Sequence, residues 1–466
     1  MDIFRFYNIY IYIMRLMGRE AGVMRSLVIG TLLLATALPA LAAGVTLQDA
    51  LRAAVADRPQ AQAARAEAAA AAAAIGEARS GWLPHLTVSE QFLRTDEPAG
   101  SLFIALNQER NVMADPAYDL VAPERQDDFE TRVQLTQMLY DPAIDFGLRR
   151  ARTTGEAATA RAAWRAEEAA FAAFRAYLDV QQAEAALAWA ESSRQEAAEI
   201  TRLAEERRRA GIGLKADELR AGVQLAETQR RELAVRNDLT LARRHLALAM
   251  GRAGGEVGIA APLDEQIFPA AAGEDIDART DLRAMALQVD AAGLAVRQSR
   301  AEWLPRLALT ARYAWHDENR PFAGDAEAWA VGAGLDWELF DGLRRSSATA
   351  RAMAEQQAAA ARLDEHRRQQ QLALEEARLR AAEARLQRDS ARQAITAAAE
   401  SRRLLLQRFE TGLSELAELL AAQSALDHAR FDAVSAASRH LLALGSIHFQ
   451  AGSFLQAFLP GEALPQ

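Results

Sequence analysis

Cysteine is absent from all 466 residues, which excludes thiolate metal sites, catalytic thiols, disulfides and a lipid-modified cysteine as a tether. Any membrane anchor is therefore non-covalent. A block of one charge is missing as well: 54 Lys and Arg stand against 63 Asp and Glu, interleaved along the chain. No basic patch is set aside for nucleic acid, which is not an expected partner. Beyond residue 43 no stretch of 18 apolar residues occurs, so the mature chain has no transmembrane helix and membrane residence has to take the form of a barrel.

Catalytic and metal-binding constellations are missing too. His440 and His448 stand two helical turns apart but lack a third ligand at usable spacing, so a solvated or helix-packing role is expected. Gly251-Arg252-Ala253-Gly254-Gly255 follows a helical pattern and has no lysine, which makes it a turn and not a phosphate cradle. Glu375 and Glu376 sit among arginines on a charged helical stretch and read as surface. The expectation is a protein without enzymatic activity, cofactor or metal.

What is present begins with an export address. Met24-Arg25, an apolar run from Leu27 to Leu38 and the small residues Pro39-Ala40-Leu41-Ala42-Ala43 have the three parts of a secretory signal. Residues 1–23 lie upstream of it, so 1–43 is set apart as N-terminal extension and signal peptide.

The remainder is written twice. Ser80-Gly81-Trp82-Leu83-Pro84-His85-Leu86 returns as Ala301-Glu302-Trp303-Leu304-Pro305-Arg306-Leu307. Leu139-Tyr140-Asp141, with Gly147-Leu148-Arg149-Arg150 after five extra residues, returns as Leu339-Phe340-Asp341-Gly342-Leu343-Arg344-Arg345. Two repeats follow, 44–250 and 276–451, joined by a Gly- and Pro-rich segment, 251–275, and ending in a tail, 452–466. In each, proline ends an Ala-rich helix and opens a strand.

The expected strands are 86–94 and 129–140 in the first repeat and 306–315 and 328–340 in the second. In the second pair, Leu307, Leu309, Ala311, Tyr313 and Trp315, then Trp329, Val331, Ala333, Leu335, Trp337 and Leu339, alternate with polar or small residues. The first pair alternates less cleanly, with Glu90 and Gln137 on the apolar side. No second sheet is available to cover that side, and lipid would. Trp315 and Trp329 flank the hairpin loop and, with Trp337, are candidate membrane-interface aromatics. On these strands alone, a water-soluble hairpin packed on helices remains the alternative. Four strands cannot close a barrel, so a spanning structure needs several copies, and three would supply twelve. The loops between paired strands, 95–127 and 316–327, are expected outside the cell.

After each second strand runs a helical pattern without proline, from Gly147 to Ala210 and from Gly342 to Thr411. At 1.5 Å per residue each reaches roughly 95 to 105 Å. Leu372, Leu379 and Leu386 recur every seventh residue, the period of a supercoiled seam. Ala210-Gly211-Ile212-Gly213-Leu214 and Thr411-Gly412-Leu413-Ser414 break these helices, which return over about 35 residues as helical hairpins.

In this order the residues resemble the TolC-like outer membrane efflux protein family over nearly the whole mature chain. Leu47-Gln48-Asp49-Ala50-Leu51 with Asp57-Arg58-Pro59 is similar to the family's opening helix, the two Trp-Leu-Pro triplets to its helix-to-strand junctions, and Leu339-Phe340-Asp341-Gly342 to its strand-to-helix turn. The resemblance implies a mainly α chain with a small β part: a homotrimer whose long hairpins form an α-barrel through the periplasm and whose four strands per chain form a 12-stranded transmembrane β-barrel in the outer membrane. It implies a collar near mid-tunnel, for which 251–275 and the tail from Gly452 are candidates. It implies a channel of a tripartite efflux or secretion system, a passive duct fed by a periplasmic adaptor (membrane fusion protein) and an inner-membrane pump of RND, ABC or MFS type. By position, Gly211, Ile212, Gly213, Leu214, Gly412, Leu413 and Ser414 match the family's adaptor-docking tips. Asp217 and Glu418 fall where the family often carries an entrance carboxylate, while Ala421 departs from a second such position. A favourable acid in the first turn of a helix would explain both residues equally well. Two other classes stay open from the residues themselves: a periplasmic adaptor, which would carry one hairpin and no duplicated Trp-Leu-Pro strands, and a soluble coiled-coil scaffold, which would leave the strands without purpose.

Overall fold

The computed structural model describes residues 44–114, 118–269, 276–277, 279–324 and 326–460. The expected signal sequence, residues 270–275 of the linker and the last six residues lie outside them. Helix α1 (Leu47–Asp57) starts at Thr46, whose hydroxyl accepts the Asp49 backbone N–H. Pro59 opens α2 (Pro59–Ser80), its ring suited to a first helical position where no N–H is required. Both Trp-Leu-Pro junctions behave as read: α2 hands over to β1 (His85–Thr95), and α6 (Thr280–Ala301) to β3 (Arg306–Asp317).

With β2 (Gln126–Tyr140) and β4 (Ala326–Asp336), these strands make one antiparallel sheet in the order β1-β2-β3-β4. The register sorts the side chains into two faces. Val88, Val133, Tyr313 and Trp329 lie in one row across the sheet, and Leu86, Leu135, Ala311 and Val331 in the next. That face is apolar and open, with Trp329 75% exposed. The opposite face carries Thr87, Gln134, Arg132, Thr310, Arg312, Gly332 and Gly334. The two misfits on the apolar side find local partners, with one Glu90 oxygen left unpaired: Glu90 Oε2 accepts the Thr131 hydroxyl at 2.6 Å, and the Gln137 amide donates to the Trp82 carbonyl at 2.7 Å.

Several boundaries differ from the sequence reading. Strand β4 ends at Asp336, not near residue 340, because its partner β3 begins at Arg306 and Arg306–Asp336 is the last pair available. Trp337 therefore lies beyond the strand. Strand β2 begins at Gln126 and β3 continues to Asp317, which moves His316 out of the loop. The segment 95–127 is not wholly irregular either, since it contains helix α3 (Pro98–Asn107).

Helix α4 (Pro142–Arg209) has 68 residues and α7 (Arg344–Glu410) has 67. Their returns, α5 (Lys215–Ala249) and α8 (Leu416–Gln450), have 35 each. Helix α4 starts five residues before Gly147, because Asp141 caps the Ala143 N–H and Pro142 takes the first helical position. Helix α7 starts after Gly342, since Gly342 and Leu343 both adopt left-handed backbone.

The seam that packs α7 inside the chain is Leu374, Ala377, Ala381, Ala384 and Arg388, all buried. The expected leucine seam is not used within the chain: Leu379 and Leu386 are each 72% exposed. Towards the tips the helices lie in the order α5-α4-α8-α7, and towards the sheet in the order α2-α4-α6-α7. Helix α7 is thus an edge throughout, with α5 and α2 at the other edge.

At mid-length of α4 sits the largest core. Phe174, Tyr177, Leu178 and Val180 pack against Leu51 and Val55 of α1, Leu246 and Met250 at the end of α5, Val257 and Leu263 of the linker, and Phe454, Leu455 and Phe458 of α9 (Phe454–Phe458). Each such side chain contributes about 1.5 to 3 kcal/mol by leaving water. The packing is close enough that a Cβ at Gly445 would lie 2.3 Å from Phe174. The linker is tied in by the Tyr177 hydroxyl donating to the Ala261 carbonyl at 2.7 Å and by two bonds between Gln181 and the Leu263 backbone, both 2.9 Å.

Candidate functional site

The two hairpin tips are built alike. Gly211 and Gly412 take φ of 78° and 79°, and the next residue reaches back to the last helical turn: Ile212 N–H to Arg207 O at 3.0 Å, Leu413 N–H to Arg408 O at 2.7 Å. Both helices therefore end in a Schellman motif, which only glycine enters without strain. Gly213 is constrained differently, for a Cβ there would stand 2.8 Å from the Arg208 nitrogen of its own hairpin. Ile212 and Leu413 point outward, 69% and 70% exposed, and Leu214 with them. The Ser414 hydroxyl donates to the Leu405 carbonyl at 3.3 Å and helps to close the second turn.

The tips are bound side by side. The Arg207 guanidinium donates to the Phe409 carbonyl and lies 4.8 Å over its ring. Beneath them Ile200, Ala204, Ala221, Leu416 and Leu419 form a small apolar core. Asp217 and Glu418 occupy the third position of α5 and α8, one on each tip. Asp217 is half-buried and Glu418 is exposed. Their neighbour Glu218 is already occupied: Lys215, at 2.6 Å, and Arg208 hold its carboxyl below its ordinary value.

Further along the hairpins lies a polar network that sequence reasoning missed. Arg430 on α8 forms a two-pronged pair with Glu196 on α4 at 2.8 and 2.9 Å and covers Trp189. Gln423 donates to Glu196 and to Asp427, and Ser193 donates to Asp427. Burial raises the Glu196 carboxyl, but its bonds to Arg430 and Gln423 outweigh that and hold it below its ordinary value. The network fixes one hairpin to the other through partners 234 residues apart, a distance no local pattern reveals.

The three tryptophans separate. Trp315 shares the apolar face with Trp329 and is half-buried beside Tyr313, ring centroids 4.7 Å apart. Trp337 lies at the helix end of the sheet, where its indole N–H donates to the Trp303 carbonyl at 3.0 Å. The two histidines pack between helices and are not solvated: His440 and His448 are buried, and burial pushes both imidazoles down. Glu375 and Glu376 are exposed, as read. Among the described residues no group of acids and histidines could hold a metal ion, and no helix is long and apolar enough to cross a membrane.

The chain thus pairs a four-stranded sheet with one open apolar face and helical hairpins of roughly 100 Å. The chain belongs to the outer membrane efflux protein family, whose sequence model matches residues 50–252 and 274–452. It is thus an efflux channel of the Gram-negative outer membrane. No curated protein sequence matches it. Among solved structures the fold is similar to the outer-membrane channel OprN, at 19% identity and a TM-score of 0.74 over 87% of this chain and 90% of that one. It is similar to CusC at 14% identity and 0.75 over 88% and 93%, and to the Campylobacter jejuni CmeC outer membrane channel at 15% and 0.74 over 90% and 87%.

Proposed function

We propose that three copies close a twelve-stranded barrel in the outer membrane and a twelve-helix tunnel below it, forming a passive exit duct. A periplasmic adaptor and an inner-membrane pump of RND, ABC or MFS type deliver the substrates, and specificity resides in the pump. The observation that carries this reading is the sheet: among the described residues its apolar face is uncovered and the outer edges of β1 and β4 are unpaired. In a bilayer neither condition is tolerable unless copies join edge to edge and lipid covers the outside. From Trp329 to Trp337 is eight residues, about 26 Å along the chain at strand rise and about 20 Å along the membrane normal at a barrel tilt of about 40°, most of the height of the apolar band of such barrels.

On this reading the repeats 44–250 and 276–451 form the wall, while linker, α1 and α9 form a collar around its midpoint. The connections between paired strands, 96–125 and 318–325, lie at the external end of the barrel, and Trp315, Trp329 and Trp337 mark the membrane interfaces. The tips, Gly211 to Leu214 and Gly412 to Ser414, dock the adaptor. Three copies of Glu418 ring the entrance, with Asp217 further out. Native mass measurement in detergent should give a trimer, and Glu418→Gln should lower its cation selectivity and its block by divalent ions in planar bilayers. A conducting monomer would refute the architecture, and unchanged selectivity would reduce Glu418 to a helix-start acid.

A further inference from the structure

Helix α3 lies against β2 and β4. At the loop end of the strands, Asp128, Ala314, His316 and Ala326 are buried, and the register places all four on the polar face. The matching side of α3, Ser101, Ile104 and Ala105, is buried too. A clamp holds the helix there: the Gln108 amide donates to the Asp127 carbonyl at 2.8 Å and to Asp128 Oδ1 at 3.0 Å, and His316 Nδ1 lies 2.9 Å from the other Asp128 oxygen. Next to it, Arg110 donates to the Gln126 side chain.

We propose that α3 is a constriction inside the external mouth of the barrel and sets the size of what passes. The inference rests on the barrel reading above. If the apolar face meets lipid, the polar face lines the channel, and a helix packed on the polar face lies within the bore. Its outer side then points to the channel axis. That side carries Phe103, 64% exposed, and Leu106 three residues on. Three copies bring an apolar ring to the mouth, which narrows it so that bulky polar solutes are held back until the helix yields while small ones pass. The exit is therefore narrowed independently of the tips.

Because the chain has no cysteine, single thiols report the geometry. T310C places one on the polar face deep to α3, and V331C one on the apolar face. On intact cells, a small charged thiol reagent should label T310C and leave V331C untouched, while a polyethylene-glycol maleimide should label neither. Adding F103A and L106A, both on the exposed side of α3, should raise bulky labelling of T310C severalfold, towards the level of the small reagent. Equal bulky labelling with and without these changes, or exclusion that persists after them, overturns the proposal while leaving the barrel in place. Labelling of V331C as readily as T310C by the small reagent would overturn the barrel reading itself, and the constriction with it.

Discussion

Glu167 lies near the middle of α4, almost wholly enclosed, and its Oε2 accepts the Leu455 backbone N–H at 3.0 Å. Burial, offset only in part by that bond and by the charge of Arg279, pushes its carboxyl from 4.5 up to about 7. The folded state thus prefers the protonated acid. This contribution to stability is complete below about pH 4.5 and is lost as the pH rises through about 7. At 1.36 kcal/mol per unit the loss is about 3 kcal/mol. His440 and His448, held down by burial, act in the opposite sense and cost stability as the pH falls. Comparing wild type with Glu167→Gln isolates the carboxyl, since the amide oxygen can still accept from Leu455. Release of the C-terminal segment to protease should become easier between pH 5 and 8 in wild type and change less in the variant. Parallel profiles would dismiss Glu167. Nothing in the sequence marked this residue, because its surroundings come from α9 and α6, far along the chain.

Elements were legible where periodicity and proline agree. The two return helices and both helix-to-strand junctions stand where Gly and Trp-Leu-Pro place them. Helix α3 was not legible: its Gly and nearby Asp and Pro read as loop, and the sheet face that supports it comes partly from the other repeat. The end of β4 was hidden for a related reason, since Trp337 and Leu339 continue the alternation after the partner strand has run out. A bulky residue at Gly213 would collide with the Arg208 backbone of its own hairpin, so such a variant reports the turn and not the partner. Leu413 is the better probe, being exposed and free of that constraint. If the tips dock the adaptor as proposed, Leu413→Asp should abolish export of the pump's substrate from cells while the yield and melting of the assembled protein stay at wild-type values, because an apolar contact would be lost and no core disturbed. Retained efflux would remove Leu413 from the docking surface.

At the scale of the molecule, the order of helices dictates how copies join. Helix α7 forms one edge of the protomer at every level, and α5 forms the other edge towards the tips. The exposed leucines follow the same division. Leu372, Leu379, Leu386 and Leu404 lie on one side of α7, and Leu219, Val223, Leu233, Leu241 and Leu248 lie on one side of α5, within an arc of about 80° at 100° per residue. An edge of one kind facing an edge of the other is a heterologous contact, which closes into a ring if the rotation permits. In the proposed barrel, strands β1 and β4 would meet in the same head-to-tail sense at the membrane. Each leucine buried between copies contributes about 1.5 to 3 kcal/mol, so a charge at either edge should loosen the ring. Leu379→Glu with Leu386→Glu, and separately Leu233→Glu with Leu241→Glu, should each lower the temperature at which the trimer dissociates on heating in detergent. Combining the two pairs should add less than their sum, because each damages the same contact from opposite sides. Strict additivity would place the two rows in different interfaces, and an unaltered dissociation temperature would leave the exposed leucines facing something other than a second copy.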